Sequence, residues 1–285
     1  MEENKMEHVK GGLFVGERAL YHSENLFLEN VTFADGESPL KESSFLNLKN
    51  CIFKWKYPLW YSHNIEVENT TLLETARSGI WYTTDIVIRN SLIEAPKTFR
   101  HASGIYLENV SLPNAQETFW NCKDIVLKNV NAKGDYFGMN AENVSIENFT
   151  LSGNYAFDGG RNIEIHNATM ASKDSFWNCE NVVIYDSTII GEYLGWNSKN
   201  ITFIRCTIDS TQGMCYMENI KMEDCILLNT NLCFEFCSGI DAKIDSDIDS
   251  VKNPISGKIE ADHIQEIILD KDLIDPSLTE IIEKE

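Results

Sequence analysis

The sequence predicts an all-β solenoid: a right-handed parallel β-helix of about 11 to 13 coils, roughly 19 to 20 residues each, with capped ends. Three observations carry that expectation. An asparagine recurs every 19 to 21 residues, at Asn30, Asn50, Asn69, Asn90, Asn109, Asn129, Asn148 and Asn167, and the rhythm runs on through Asp186, Arg205 and Asp224. Apolar and polar residues alternate in the phrase before each one, as in Asn64-Ile-Glu-Val-Glu-Asn69 and Asn162-Ile-Glu-Ile-His-Asn167. Large and small residues recur at fixed distances further upstream.

With the ladder asparagine as position zero, positions −4 and −2 hold Leu26 and Leu28, Ile65 and Val67, Ile105 and Leu107, Ile163 and Ile165, Ile201 and Phe203. Period-two alternation of this kind predicts a strand with one buried face. Position +3 is apolar again in most coils (Phe33, Phe53, Leu72, Ile93, Met170, Ile189), so a second strand follows the asparagine turn. Position −10 is large (Leu40, Leu59, Ile80, Phe99, Phe119, Phe157, Phe176) and position −7 small (Ser43, Ser62, Thr83, Ala102, Cys122, Cys179, Ser198), which predicts a third strand and a tight corner. Rungs about 4.8 Å apart give a rod of roughly 50 Å for eleven coils. Parallel crossovers are overwhelmingly right-handed, which selects the hand.

Other solenoids fit less well. A left-handed β-helix needs a strict hexapeptide period, a pentapeptide helix needs a small residue where position −4 is bulky, and leucine-rich repeats need a leucine consensus. Residues 1–24 are assigned to an N-terminal cap and first coil, 25–249 to regular coils, and 250–285 to a degenerate last coil and cap within one domain. Asp275-Pro276-Ser277 is the place for a short helix to open. The asparagines have a structural reading: they accept left-handed turns and stack their amides.

The formal charge is −20, which disfavours nucleic acid and anionic membrane as partners. No apolar run has the length of a membrane span, and MEENKMEHVKGG lacks a signal-peptide core, so a cytoplasmic location is expected. The eight cysteines show no zinc spacing and are expected to be reduced, Cys51, Cys122, Cys179, Cys206 and Cys225 as small buried residues. Asp245, Asp247 and Asp249 read as a solvated edge. No metal and no cofactor is expected. Oligomeric state is not encoded in any pattern here.

Position −9 lies between two inward columns and collects five of the six tryptophans: Trp60, Trp81, Trp120, Trp177 and Trp196, with Arg100, Met139 and Asp158 between them. Position −8 beside it holds Tyr61, Tyr82, His101, Asn121, Asn140, Gly159, Asn178 and Asn197. One reading is a carbohydrate platform, with Trp60, Trp81, Arg100, Trp120, Asn121, Asn140, Trp177, Asn178, Trp196 and Asn197 as ligand contacts. A second is a β-helical sugar hydrolase, lyase or isomerase with Asp158, Arg161 and His101 near the site; Asp135, Asp158 and Asp174 form the acidic candidates on this side. A third is a scaffold whose ring column is packing alone.

The coil pattern resembles the pectin-lyase-like superfamily, which implies the right-handed β-helix. The superfamily's enzymes act on sugars. The Asn-x-Asp, Asp-Asp, Gly-His, Arg-x-Lys series of polygalacturonases is absent here, and so is a lyase-type carboxylate cluster with its arginine. Through Gly16-Glu-Arg-Ala-Leu-Tyr21, the Trp-Asn rungs and Ser250-Val-Lys-Asn-Pro-x-Ser-Gly257, nearly the whole chain also resembles domain of unknown function 3737. That resemblance implies no functional residues.

Overall fold

A computed structural model describes residues 6–284. The chain divides into two compact units, Met1–Val144 and Ser145–Glu285. Each is a parallel β-solenoid.

In the first unit the strands Glu7–Val15, Glu24–Ala34, Ser44–Lys49, His63–Glu68, Thr84–Ile93, Ser103–Leu112 and Lys123–Lys133 stack in parallel. The register follows the repeat: Leu28 lies over Leu48, Leu48 over Val67, Val67 over Ile88, and Leu107 over Leu127. The expected second strand follows the asparagine corner, with Phe33 over Phe53 and Phe53 over Leu72. All these side chains are buried. The third strand shrinks to two residues, Ile80–Trp81 paired with Phe99–Arg100. Left-handed corners on both sides of it leave no room for more.

The second unit repeats the arrangement over Arg161–Ala171, Glu180–Tyr185, Lys199–Ile204, Glu218–Leu228, Ile240–Ile244, Gly257–Ala261 and Thr279–Glu283. Ile165, Ile184, Phe203, Met222 and Ala242 form one inward file. The C-terminal segment pairs in parallel as well, Asp247–Lys252 with His263–Ile268. The helix expected at Asp275 is a single 3-10 turn, Pro276–Leu278, capped by the Asp275 carboxylate on the Ser277 N–H.

Each coil turns at residues with positive φ. In the coil ending at Asn69 these are Tyr57, Tyr61, Asn64 and Asn69; in the coil ending at Asp186 they are Asp174, Phe176, Asn178, Asn181 and Asp186. They mark four columns, at −12, −8, −5 and zero, which position −10 joins from Phe119 onward, as at Phe157 and Phe176. Asparagine suits two of them because its short amide relieves the left-handed cost. The amides also join coil to coil: Asn50 Nδ2 donates to Asn30 Oδ1 at 3.0 Å, Asn200 to Asn181 at 2.9 Å, and Asn219 to Asn200 at 3.0 Å. Charges alternate along the stack too, as in Lys49–Glu68 (3.3 Å) and Lys199–Glu218 (2.8 Å). Such exposed pairs fix register more than they add stability.

The eight cysteines are free and buried. The column at −7 is more than small: it is a file of donors. Ser62 Oγ donates to the Leu40 carbonyl at 2.8 Å, Cys179 Sγ to Phe157 O at 2.8 Å, and Cys237 Sγ to Met214 O at 2.8 Å. Serine and cysteine interchange there because each brings one donor in a small volume. Burial pushes the Cys122 thiol up to about 12, and Cys179 rises for the same reason.

Two outcomes follow. Asn181→Ala loses both amide bonds and keeps a left-handed alanine, so urea denaturation should show a loss of about 1–3 kcal/mol, with Asn181→Gly losing less. A disulfide reagent at pH 8 should leave Cys122 and Cys179 unmodified in the folded protein and label them once urea unfolds it.

Candidate functional site

The candidate surface is the corner formed by columns −9 and −8. In the first unit Trp60 and Trp81 stack face to face, centroids 5.3 Å apart and planes 9° apart. The Arg100 guanidinium lies 5.0 Å from the Trp81 ring and 4.3 Å from the Trp120 ring. Glu117 binds Arg100 in a close ion pair, and Lys97 reaches the same carboxylate at 3.1 Å. Column −9 of this unit is thus an aromatic–guanidinium stack whose faces cover one another. Cation–π contacts in such partly desolvated places contribute about 1–2 kcal/mol each.

The indole N–H groups are engaged as well. Trp60 donates to Ser78 O at 2.5 Å, Trp81 to Lys97 O at 2.8 Å and Trp120 to Tyr136 O at 2.7 Å. In the second unit Trp177 donates to Tyr193 O at 2.6 Å. Every acceptor is the left-handed residue at −12 of the following coil. The tryptophans are half-buried clasps between coils.

Column −8 is the exposed row outside them. Tyr61 is 47% and Tyr82 42% exposed. Tyr61, Tyr82 and His101 stack at 4.8 and 5.1 Å, one ring per rung. The amides continue the row: Asn140 Nδ2 donates to Asn121 Oδ1 at 3.2 Å. In the second unit Asn178 donates to Asp158 at 2.8 Å and Asn197 to Asn178 at 2.9 Å. Beyond them Trp196 packs on Tyr216 at 4.6 Å, and Tyr216 on Phe236 at 5.3 Å.

The residues suggested for acid–base chemistry have other engagements. Asp158 accepts from Asn178, Arg161 pairs with Glu180 at 3.4 Å, and His101 stacks on Tyr82. Asp174 occupies a left-handed corner, where burial raises its carboxyl above the usual range. The Asp135 carbonyl receives the Glu117 N–H at 2.9 Å. Among the described residues no three His, Cys, Asp or Glu side chains are grouped to hold a metal ion.

A second surface was not legible in the sequence. On the outer face of the first unit's sheet, a hollow of about 360 Å³ is lined by Phe27, Asn47, Lys49, Glu66, Glu68 and Arg89. A neighbouring one of about 430 Å³ shares Asn47 and Glu66. The six residues named for the first hollow come from outward positions −3 and −1 of separate coils and form no local motif. Lys49 and Glu68 pair with each other, and Arg89 with Glu108.

Fold and corner together define a parallel β-helix protein with a clasped aromatic corner. The chain belongs to the family described as "Protein of unknown function (DUF3737)", whose model matches residues 7–282. No curated protein matches the chain in sequence. Among solved structures it is similar to PfbA, a surface adhesin of Streptococcus pneumoniae, at 10% identity, 92% of this chain, 81% of that chain and a TM-score of 0.42. It is also similar to a mutant tailspike protein of E. coli bacteriophage HK620 in complex with a hexasaccharide, at 8% identity, 92% of this chain, 70% of that chain and a TM-score of 0.43. A third likeness is the A-module of the Azotobacter vinelandii mannuronan C-5 epimerase AlgE4, at 10% identity, 97% and 86% coverage and a TM-score of 0.28.

The clasp has a measurable consequence. Trp177→Phe keeps a ring and strands the Tyr193 carbonyl, so chemical denaturation should show a loss of about 1–3 kcal/mol. Trp177→Ala adds a cavity and should lose about 3–5 kcal/mol.

Proposed function

We propose that the protein is a binding protein for a neutral, extended carbohydrate, read along the outer row of the corner. The observation that supports this is the regular spacing of exposed rings and amides, with Tyr61, Tyr82 and His101 at 4.8 and 5.1 Å. A polymer of pyranose units lying along the stack meets one side chain per rung. Tyrosine edges and hydroxyls, the imidazole and the asparagine amides suit neutral hydroxyl groups, which both donate and accept. The net charge of −20 disfavours an acidic polysaccharide. The tryptophans support the row from beneath, and their faces are taken by each other and by Arg100.

The test is a glycan array with Tyr82→Asn and Asn121→Gly, substitutions that keep the left-handed corners. Wild-type binding to neutral oligosaccharides is expected, with each variant still folded and about tenfold weaker, a change of about 1.4 kcal/mol in binding. Unchanged binding in both variants, with loss in Glu66→Gln, would move the site to the hollow on the sheet.

A further inference from the structure

One tryptophan of the column departs from the clasp. Trp60, Trp81, Trp120 and Trp177 each donate to the carbonyl of the −12 residue in the following coil. For Trp196 that residue is Gln212, left-handed like the others at φ 49°. Its carbonyl accepts the Cys215 thiol at 3.2 Å instead, and its side-chain amide donates to Glu235 at 3.0 Å. Among the described residues, none accepts from the Trp196 indole, and its Nε1 is absent from the buried unsatisfied polar atoms, so it reaches the surface. The ring is also turned, 40° from the Trp177 plane, where Trp60 and Trp81 differ by 9°.

The surroundings of this donor are those of a subsite. Tyr216, 42% exposed, packs on Trp196 at 4.6 Å, and Tyr193, 38% exposed, precedes it by three residues. Asn197 is exposed beside it and donates its amide to Asn178, leaving its own side-chain oxygen as an acceptor. An indole donor, an amide oxygen and tyrosine rings recognise an uncharged ring that carries both an acceptor and a donor. In this coil the −12 carbonyl receives a cysteine thiol and no indole.

We infer that Trp196 anchors the ligand in the second unit, its Nε1–H donating to a hydroxyl oxygen of a neutral hexose while Asn197 Oδ1 accepts from a neighbouring hydroxyl. This rests on the carbohydrate reading above and names a subsite for that ligand class within the second unit. Trp196 has no acceptor to lose on the protein, so Trp196→Phe removes the ligand's donor and leaves the fold's own hydrogen bonds intact.

The experiment compares wild type, Trp196→Phe and Trp177→Phe in calorimetric titrations with cellohexaose, mannohexaose and laminarihexaose, alongside urea denaturation. The expected result is that at least one hexaose binds wild type and binds Trp196→Phe about five- to tenfold more weakly, the size of one neutral hydrogen bond. Trp196→Phe should keep wild-type stability while Trp177→Phe loses it. Equal affinity in wild type and Trp196→Phe would overturn this assignment and leave the carbohydrate reading standing. No binding of any hexaose to wild type would overturn both. A stability loss in Trp196→Phe as large as in Trp177→Phe would show that its indole is clasped after all.

Discussion

A solenoid coil of about nineteen residues closes by turning at left-handed residues, and a left-handed corner points carbonyls where the strand ladders do not collect them. A buried or half-buried carbonyl left without a donor costs about 1–3 kcal/mol. The rest of the corner follows from that constraint. Column −7 answers it inside the coil, with Ser62, Cys179 and Cys237 reaching carbonyls of the preceding coil. Column −9 answers it outside, with indoles reaching carbonyls of the following coil, among them Lys97 and Tyr193. Side-chain donors therefore add to the backbone bonds that join neighbouring coils at this corner.

The same constraint separates support from surface. A tryptophan that satisfies a carbonyl is held in one orientation, and rings so held stack on one another or on Arg100. Their faces are then unavailable, and what the corner offers to solvent is the next column out. Tyr82, His101, Asn121 and Asn178 stand there with φ between 49° and 57°. Each of these side chains is exposed, and the rung spacing sets their period. Binding groups and clasping groups are adjacent in sequence yet differ in role.

The inward columns were legible because burial imposes apolar residues on alternate positions, and Leu28, Ile88, Ile165 and Phe203 all fell into file as the repeat required. The asparagine corner was legible because Asn tolerates a left-handed turn and stacks its amide. The corner at −12 left no such mark: Ser78, Lys97, Tyr136 and Tyr193 share one conformation without sharing a chemistry. There the turn is imposed by packing of the coil, which overrides local preference. The tryptophan column could be counted from sequence, but its clasping role could not, since each acceptor lies sixteen to eighteen residues away and is a backbone atom. Cysteine at −7 was legible as small and buried; its service as a donor emerges when its neighbours in the column, Ser62 and Ser198, are seen to donate as well. The hollow around Asn47 and Glu66 left no signal because outward strand positions vary freely.

Hydrogen exchange of the indole N–H groups, followed by nuclear magnetic resonance on the folded protein, separates clasp from surface most directly. Slow exchange is expected for Trp60, Trp81, Trp120 and Trp177, whose donors are engaged, and fast exchange for Trp55 and Trp196, for which no acceptor exists among the described residues. Six indoles exchanging at the same fast rate would contradict the carbonyl clasp and with it the division of the corner into support and surface.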